Sequence, residues 1–223
     1  MTAEVAILPA PDRAGATAWT TAWVTAELSR HERKKLATRA ALSNAAWSLM
    51  IEHGLDAVTP EAVAAAVDVS PQTFRGHFAT REEAILDGLA RRAVSLVGTV
   101  RDRPAGEPVW DSLERVLPTA VAGCVGRRGD LAVLTSAVRQ SPALTAQCLV
   151  TLERTHWLLA EAIAERTGAD LDRDLVPRLM ADAVVVGVST AVQMWTDGDL
   201  DAALPDLLHD AFALLRAGLP QDS

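Results

Sequence analysis

Residues 59–81 read TPEAVAAAVDVSPQTFRGHFATR, and the fold follows from this stretch. Thr59 and Pro60 form a helix start: the threonine oxygen accepts from an amide with no helical partner, and proline at the first helical position gives up no hydrogen bond. Val63 and Val67 follow at helical spacing. Ser70 and Pro71 repeat the start signal soon afterwards, which leaves room for one short helix and a turn at Asp68-Val69-Ser70, with Val69 tucked between the helices. The second helix, Gln72 to Phe78, carries Phe74 and Phe78 at i and i+4. These make one inner edge and leave Gln72, Thr73, Arg75, Gly76 and His77 around the outside. Two short helices across a tight turn, with a third helix beginning at Arg81, make a helix-turn-helix.

The stretch resembles the DNA-binding domain of the tetracycline-repressor (TetR) family of bacterial transcription factors. The family pattern VS-x-x-T-hydrophobic-Y-x-H-F-x-x-K-E is met here by Val69-Ser70, Thr73-Phe74, His77-Phe78 and Arg81-Glu82. The likeness runs from roughly Arg33 to Leu89, the size of one small DNA-reading module. Two positions depart from it: Arg75 replaces the tyrosine that touches a phosphate in the family, and Gly76 replaces a polar residue. An arginine there either serves phosphate or forks onto a guanine edge. As a DNA-binding unit, the stretch is expected to set Arg33, Lys34, Lys35 and Arg81 on phosphates, to present helix N-termini to them at Thr59 and Ser70, and to face Gln72, Thr73, Arg75 and His77 to the major groove, with Gly76 among the DNA-binding positions.

The chain of 223 residues has a net charge of -8, which suits a nucleic-acid binder only once it is divided by region. Residues 30–81 hold seven Lys/Arg against five acids, while residues 82–223 hold 13 basic and 21 acidic residues. Repulsion from the acidic remainder leaves the basic face as the favourable docking surface on DNA. The basic run Arg30-His31-Glu32-Arg33-Lys34-Lys35 leads into a helix to about His53, with Leu36, Ala40, Trp47, Met50 and Ile51 on its inner side and Gly54 as its stop. Such a run is usually a solvated helix start; ahead of a helix-turn-helix it also suits a phosphate backbone or minor groove. No apolar run reads as long enough to span a bilayer and no secretory signal is visible, so a cytoplasmic protein is expected. Cys124 and Cys148 read as core thiols, with no metal set and no cofactor fingerprint.

Further helices are expected over residues 81–101, the connector, and at about 108–125, 131–140, 142–167, 171–196 and 200–217, each bounded by Pro, Gly or Asp. No stretch alternates as a strand does, so the fold class is all-α. Residues 1–29 read as an extension, either an extra helix around Trp19 and Trp23 or a frayed arm. Residues 30–89 read as the helix-turn-helix domain, and residues 90–223 as a helical effector-binding and dimerisation domain.

The helix over 171–196 is apolar on most of its circumference, with small residues Ala181, Ala183, Gly187 and Ala191 that admit another helix; the last helix adds Leu204, Leu207, Leu208, Ala211, Phe212 and Leu215. A helix apolar all round is buried on both sides, so this pair is expected to form a homodimer interface, with burial inside one chain as the alternative. Two-fold symmetry then predicts a palindromic DNA site. Trp110, Leu113, Leu117, Leu134, Val138, Cys148, Leu152, Thr155, His156 and Leu159 stand at spacings that suit a common cavity for a mostly apolar small-molecule effector, although each also suits plain core.

The function expected is a dimeric, ligand-responsive transcriptional regulator, a repressor released by its effector. Two alternatives stand beside it: an enzyme or carrier for a small apolar molecule with a non-functional DNA module, and a protein-interaction adaptor using the acidic surface. No nucleophile with a neighbouring base supports an enzyme.

Overall fold

The computed structural model describes residues 29–198 and 201–218, so the expectations for residues 1–28, including the Trp19–Trp23 turn, lie outside the described residues. Every regular element among the described residues is helical: α1 (Arg30–His53), a 3-10 turn (Leu55–Ala57), α2 (Pro60–Ala66), α3 (Pro71–His77), α4 (Arg81–Arg101), α5 (Val109–Val125), α6 (Arg128–Gln140), α7 (Pro142–Thr167), α8 (Leu175–Asp197) and α9 (Leu204–Ala217). The described residues fall into two units that part between Arg39 and Ala40.

In the first unit, Ser29 and Glu32 close a reciprocal capping box. The Glu32 amide donates to Ser29 Oγ at 3.2 Å, and the Ser29 amide donates to Glu32 Oε2 at 2.8 Å. These bonds favour the ionised carboxylate and hold Glu32 below the usual carboxylate range. Arg33, Lys34 and Lys35 lie exposed just beyond this start.

In the second unit, the fully buried row of α1 is Leu42, Ser43, Ala46 and Met50. Of the inner face read from sequence, Met50 is fully buried, Trp47 and Ile51 pack partly buried against the core, and Leu36 and Ala40 are partly buried. That row joins Val58, Val63, Ala64, Phe74, Phe78, Ala84, Ile85 and Leu86 in one core, to which α6 and α7 add Leu131, Leu134 and Leu144. The reading module therefore has no self-contained interior. A second core gathers Val97 and Val100 of α4, Leu113, Leu117 and Val121 of α5, Leu158, Leu159 and Ile163 of α7, and Leu204, Leu208 and Phe212 of α9. Each large apolar side chain fully buried here contributes about 1.5–3 kcal/mol.

Three helix starts differ from those the sequence suggested, among them α9, which begins at Leu204 rather than near Leu200. Helix α8 begins at Leu175 rather than near Leu171, because Asp170 holds the preceding residues in a turn: its carboxylate accepts from the Asp172 amide at 2.9 Å and its carbonyl from the Asp174 amide at 2.7 Å. Helix α6 begins at Arg128, three residues before the expected start. Helix α8 also corrects the reading that no apolar run is long enough for a membrane: its 23 residues pass by length and composition, with mean hydropathy 1.6 over an 18-residue window that is 28% buried.

Within α8 the small residues serve the chain itself. Ala181, Gly187 and Ala191 are buried, and a Cβ added at Gly187 would stand 2.9 Å from Leu215 Cδ1 of α9. Leu175, Val176, Leu179, Val186 and Met194 lie on the other side of the helix, 49–71% exposed.

Candidate functional site

Helix α3 is fixed from behind. Phe74 and Phe78 are each 2% exposed, and their rings meet with centroids 5.7 Å apart. Ser70 caps the helix by accepting from the Thr73 amide at 3.1 Å, and its hydroxyl also bonds that of Thr73 at 2.9 Å. Thr59 caps α2 in the same way, accepting from the Ala62 amide at 3.1 Å. The hydroxyl oxygens of Thr59 and Ser70 thus accept from the chain's own amides.

The turn between α2 and α3 closes as a Schellman motif around Asp68, which occupies the left-handed position at φ 54 where glycine is usual. The Val69 amide donates to the Ala64 carbonyl at 3.0 Å and the Asp68 amide to the Ala65 carbonyl at 3.3 Å. Thr80 then starts α4: its Oγ1 accepts from the Glu83 amide at 3.0 Å, and Glu83 Oε2 accepts from the Ala79 amide at 2.9 Å.

This frame leaves Gln72, Arg75 and Gly76 exposed and Thr73 and His77 half-buried on α3. Arg75 reaches back to α2, where Nη2 donates to Glu61 Oε1 at 2.8 Å; the two side chains are 53% and 61% exposed. Arg81 turns inward instead of outward. Its Nη1 donates to the Leu55 carbonyl at 3.1 Å and its Nε to Glu82 Oε1 at 3.0 Å, with Asp56 at 3.9 Å. Those bonds tie the 3-10 turn to the first turn of α4. A guanidinium so committed is poorly placed to hold a phosphate as well.

Seven of the ten residues expected to share an effector cavity divide between the two cores. Leu113, Leu117 and Leu159 are buried in the second, with Trp110 packed against it and its ring edge-on to Phe212 at 6.1 Å. Leu134, Val138 and Cys148 belong to the core of the reading module. Leu152 is 41% exposed and lines neither core. The Thr155 hydroxyl donates to the Thr151 carbonyl at 2.9 Å, one turn back. His156 Nδ1 stands 2.8 Å from Asp182 Oδ1 of α8. Spacing along one helix fixes a face, but only packing decides which core that face meets.

Two polar features of this region were invisible in the sequence. The indole N–H of Trp110 is buried with no hydrogen-bond partner among the described residues. Burial pushes the thiols of Cys124 and Cys148 above their usual range, Arg92 opposing it at Cys124. An open cleft of about 620 Å³ lies between the end of α1 and α6, bounded by Met50, Leu55, Asp56, Val133, Ser136 and Gln140. Among the described residues no group of three His, Cys, Asp or Glu side chains is placed to hold a metal ion.

The chain is 35% identical over 200 residues to the HTH-type transcriptional regulator TcmR of Streptomyces glaucescens, an alignment covering 82% of this chain and 88% of that one. The chain belongs to the TetR family of transcriptional regulators. Residues 42–86 match the family described as bacterial regulatory proteins, tetR family, and residues 135–220 match the MftR C-terminal domain. Among solved structures, the TetR-family repressor FadR of Thermus thermophilus, in complex with lauroyl-CoA, superposes with a TM-score of 0.60 at 20% identity. That likeness covers 83% of this chain and 96% of FadR. The fatty acid degradation regulator FadR of Bacillus halodurans gives 0.58 at 21% identity, covering 81% and 95%. At such identities these two likenesses show the TetR-family fold.

The TetR-family frame thus accounts for the two capped helices and the aromatic edge. The residues that sequence reasoning missed around it are Glu61, Thr80 and Glu83; Asp68 was placed in the turn, but its left-handed backbone was not read. Thr80 and Glu83 carry a readable T-x-x-E start signal. Nothing local marks Glu61 as the partner of a residue fourteen positions away.

Proposed function

We propose that this TetR-family regulator is a homodimeric repressor that binds a palindromic operator and is released by a small, mostly apolar effector. The observation that carries the reading is α3, a helix pinned by Phe74 and Phe78 that holds Gln72, Arg75 and Gly76 outward. A helix rigid on one edge and polar on the other presents base-reading donors without an ordering penalty. Thr73 and His77 flank them, and the exposed Arg33, Lys34 and Lys35 supply phosphate contacts of their own. Arg81 is assigned the role of a clamp on the Leu55 turn rather than a phosphate contact, given its hydrogen bonds to the Leu55 carbonyl and to Glu82.

The outward row Leu175, Leu179, Val186 and Met194 of α8, with Leu214 of α9, is the proposed dimer contact. An apolar face of this kind is unfavourable in water and is covered when a second copy supplies the same face about a two-fold axis. The proposed effector core lies among α5, α7 and α9, where Trp110 offers one unpartnered donor within an apolar surround. One neighbour of the same fold was crystallised with lauroyl-CoA, whose acyl chain is apolar. A cytoplasmic location follows from this reading.

The test is fluorescence anisotropy of full-length protein on DNA from the region upstream of its own coding sequence, titrated at two salt concentrations against unrelated DNA. Tight binding that depends on a palindrome and persists at the higher salt supports the reading; equal, weak binding to both DNAs refutes it. Release by a ligand requires that the ligand prefer the state that cannot span both half-sites. An effector that saturates the protein and leaves operator affinity unchanged refutes the coupling.

A further inference from the structure

The family pattern leaves two roles open for Arg75, and its bond to Glu61 chooses between them. We infer that Glu61 is a specificity-determining residue: by holding Arg75 it keeps the guanidinium off the phosphate backbone and presents it to a guanine edge, so that each operator half-site carries a G·C pair at that position. This rests on the DNA-binding reading proposed above. Glu61 is the second residue of α2, Arg75 the fifth of α3, and the bond between Nη2 and Oε1 at 2.8 Å spans the two helices of the reading unit.

The electrostatic argument is a difference between two ligands. A phosphate is anionic, so Arg75 can take it only by giving up Glu61 or by bringing two anions onto one guanidinium. A guanine edge is neutral and offers two acceptors, O6 and N7, so it can be met by the remaining N–H groups while Glu61 stays bound. The carboxylate therefore penalises the contact that every DNA sequence offers and spares the one that only guanine offers. It also restricts a flexible side chain, which favours a directional contact over a diffuse one. The ion pair is exposed and contributes little to folding, so its stability value does not account for it. A glutamate in the first turn of a helix also favours the helix dipole, and that simpler role has to be separated by experiment.

The experiment uses the full-length protein and a random-sequence duplex library from which bound DNA is selected, followed by titrations on the recovered site, on versions with each base pair replaced, and on an unrelated duplex. The wild type is expected to enrich a palindrome with G·C at one pair of symmetry-related positions, discriminating there by on the order of tenfold or more. Glu61→Gln is expected to lose that discrimination and to gain affinity for unrelated DNA. Its log-log salt slope should steepen by about 0.9, one added phosphate, or roughly 3.5-fold more loss between 50 and 200 mM salt. Arg75→Ala should lose the discrimination without the gain, and the double variant should match Arg75→Ala. Glu61→Asp keeps the acid in the first turn of α2 but shortens its reach, so it should retain the wild-type melting temperature and lose discrimination.

If Glu61→Gln lowers only the melting temperature and keeps both discrimination and salt slope, the carboxylate serves the helix start and the inference is overturned. If Arg75→Ala flattens the salt slope on all sequences alike, Arg75 is a phosphate contact and the inference is likewise overturned. A library that yields no enriched sequence removes the DNA-binding reading itself, and the assignment of Glu61 with it.

Discussion

Arg166 of α7 is the residue whose replacement the structure lets one quantify best. Its Nη1 donates to the Val100 carbonyl at 2.9 Å, and its Nη2 to the carbonyls of Pro104 at 3.2 Å and Glu107 at 2.9 Å. Val100 lies in the last turn of α4, where its carbonyl also takes a long bond of 3.4 Å from the Arg103 amide, and Pro104 and Glu107 belong to the loop that leads to α5. One side chain therefore holds the end of the connector helix and the loop after it. A hydrogen bond to a charged group contributes about 1.5–3 kcal/mol, which sets a simple ceiling near 4.5–9 kcal/mol for three. Water replaces part of this: the bond to Pro104 is exposed, and the freed carbonyls of a loop can be solvated. Counting the two partly buried bonds alone, Arg166→Met is expected to destabilise by about 3 kcal/mol, because methionine keeps the aliphatic packing and removes the donors. Urea denaturation followed by circular dichroism reads this as a lowered midpoint with unchanged slope. Arg166→Lys should recover less than half, since one ammonium cannot reach three diverging carbonyls. A loss below 1 kcal/mol for Arg166→Met, or full recovery by lysine, would refute the clamp.

Three other outcomes are expected. Asp68 sits in the left-handed region, so Asp68→Gly should raise stability by up to about 1 kcal/mol and Asp68→Val should lower it by at least as much, both read from the melting temperature. Glu107 is held down to about 2 by hydrogen bonds from Arg103 and Ser112, against an ordinary 4.5. A carboxyl depressed on folding adds stability above its ordinary value and loses it as pH falls through the folded value. The gap between wild type and Glu107→Gln should thus be full at neutral pH and close between about pH 4.5 and 2; a gap that does not vary over that window argues against the assignment. Leu179 is 58% exposed on the outer face of α8, so Leu179→Glu should leave the protomer's stability within about 0.5 kcal/mol yet shift sedimentation from dimer to monomer. An unchanged sedimentation coefficient would place the dimer contact elsewhere.

The sequence alone determined what depends on a few neighbouring residues. Thr59-Pro60 and Ser70-Pro71 start helices because a cap and its amide are three residues apart, and Gly54 ends α1 because only the backbone at that point must turn left-handed. Phe74 and Phe78 declare an inner edge by spacing, and the all-α class follows from the absence of alternation. The starts at Ser29-Glu32 and Thr80-Glu83 were equally readable, since both boxes close within one turn. Only the tertiary structure decided contacts between distant segments. It added Leu42 and Ala46 to Met50 in the fully buried row of α1, because α1 packs into a core that also takes Leu131 and Leu134 from α6. It sent Leu113 and Leu134 to different cores, turned Arg81 toward Leu55, and gave Arg75 to Glu61. Helical periodicity ranks the faces of one helix; which neighbour each face meets is set by how all the helices pack at once.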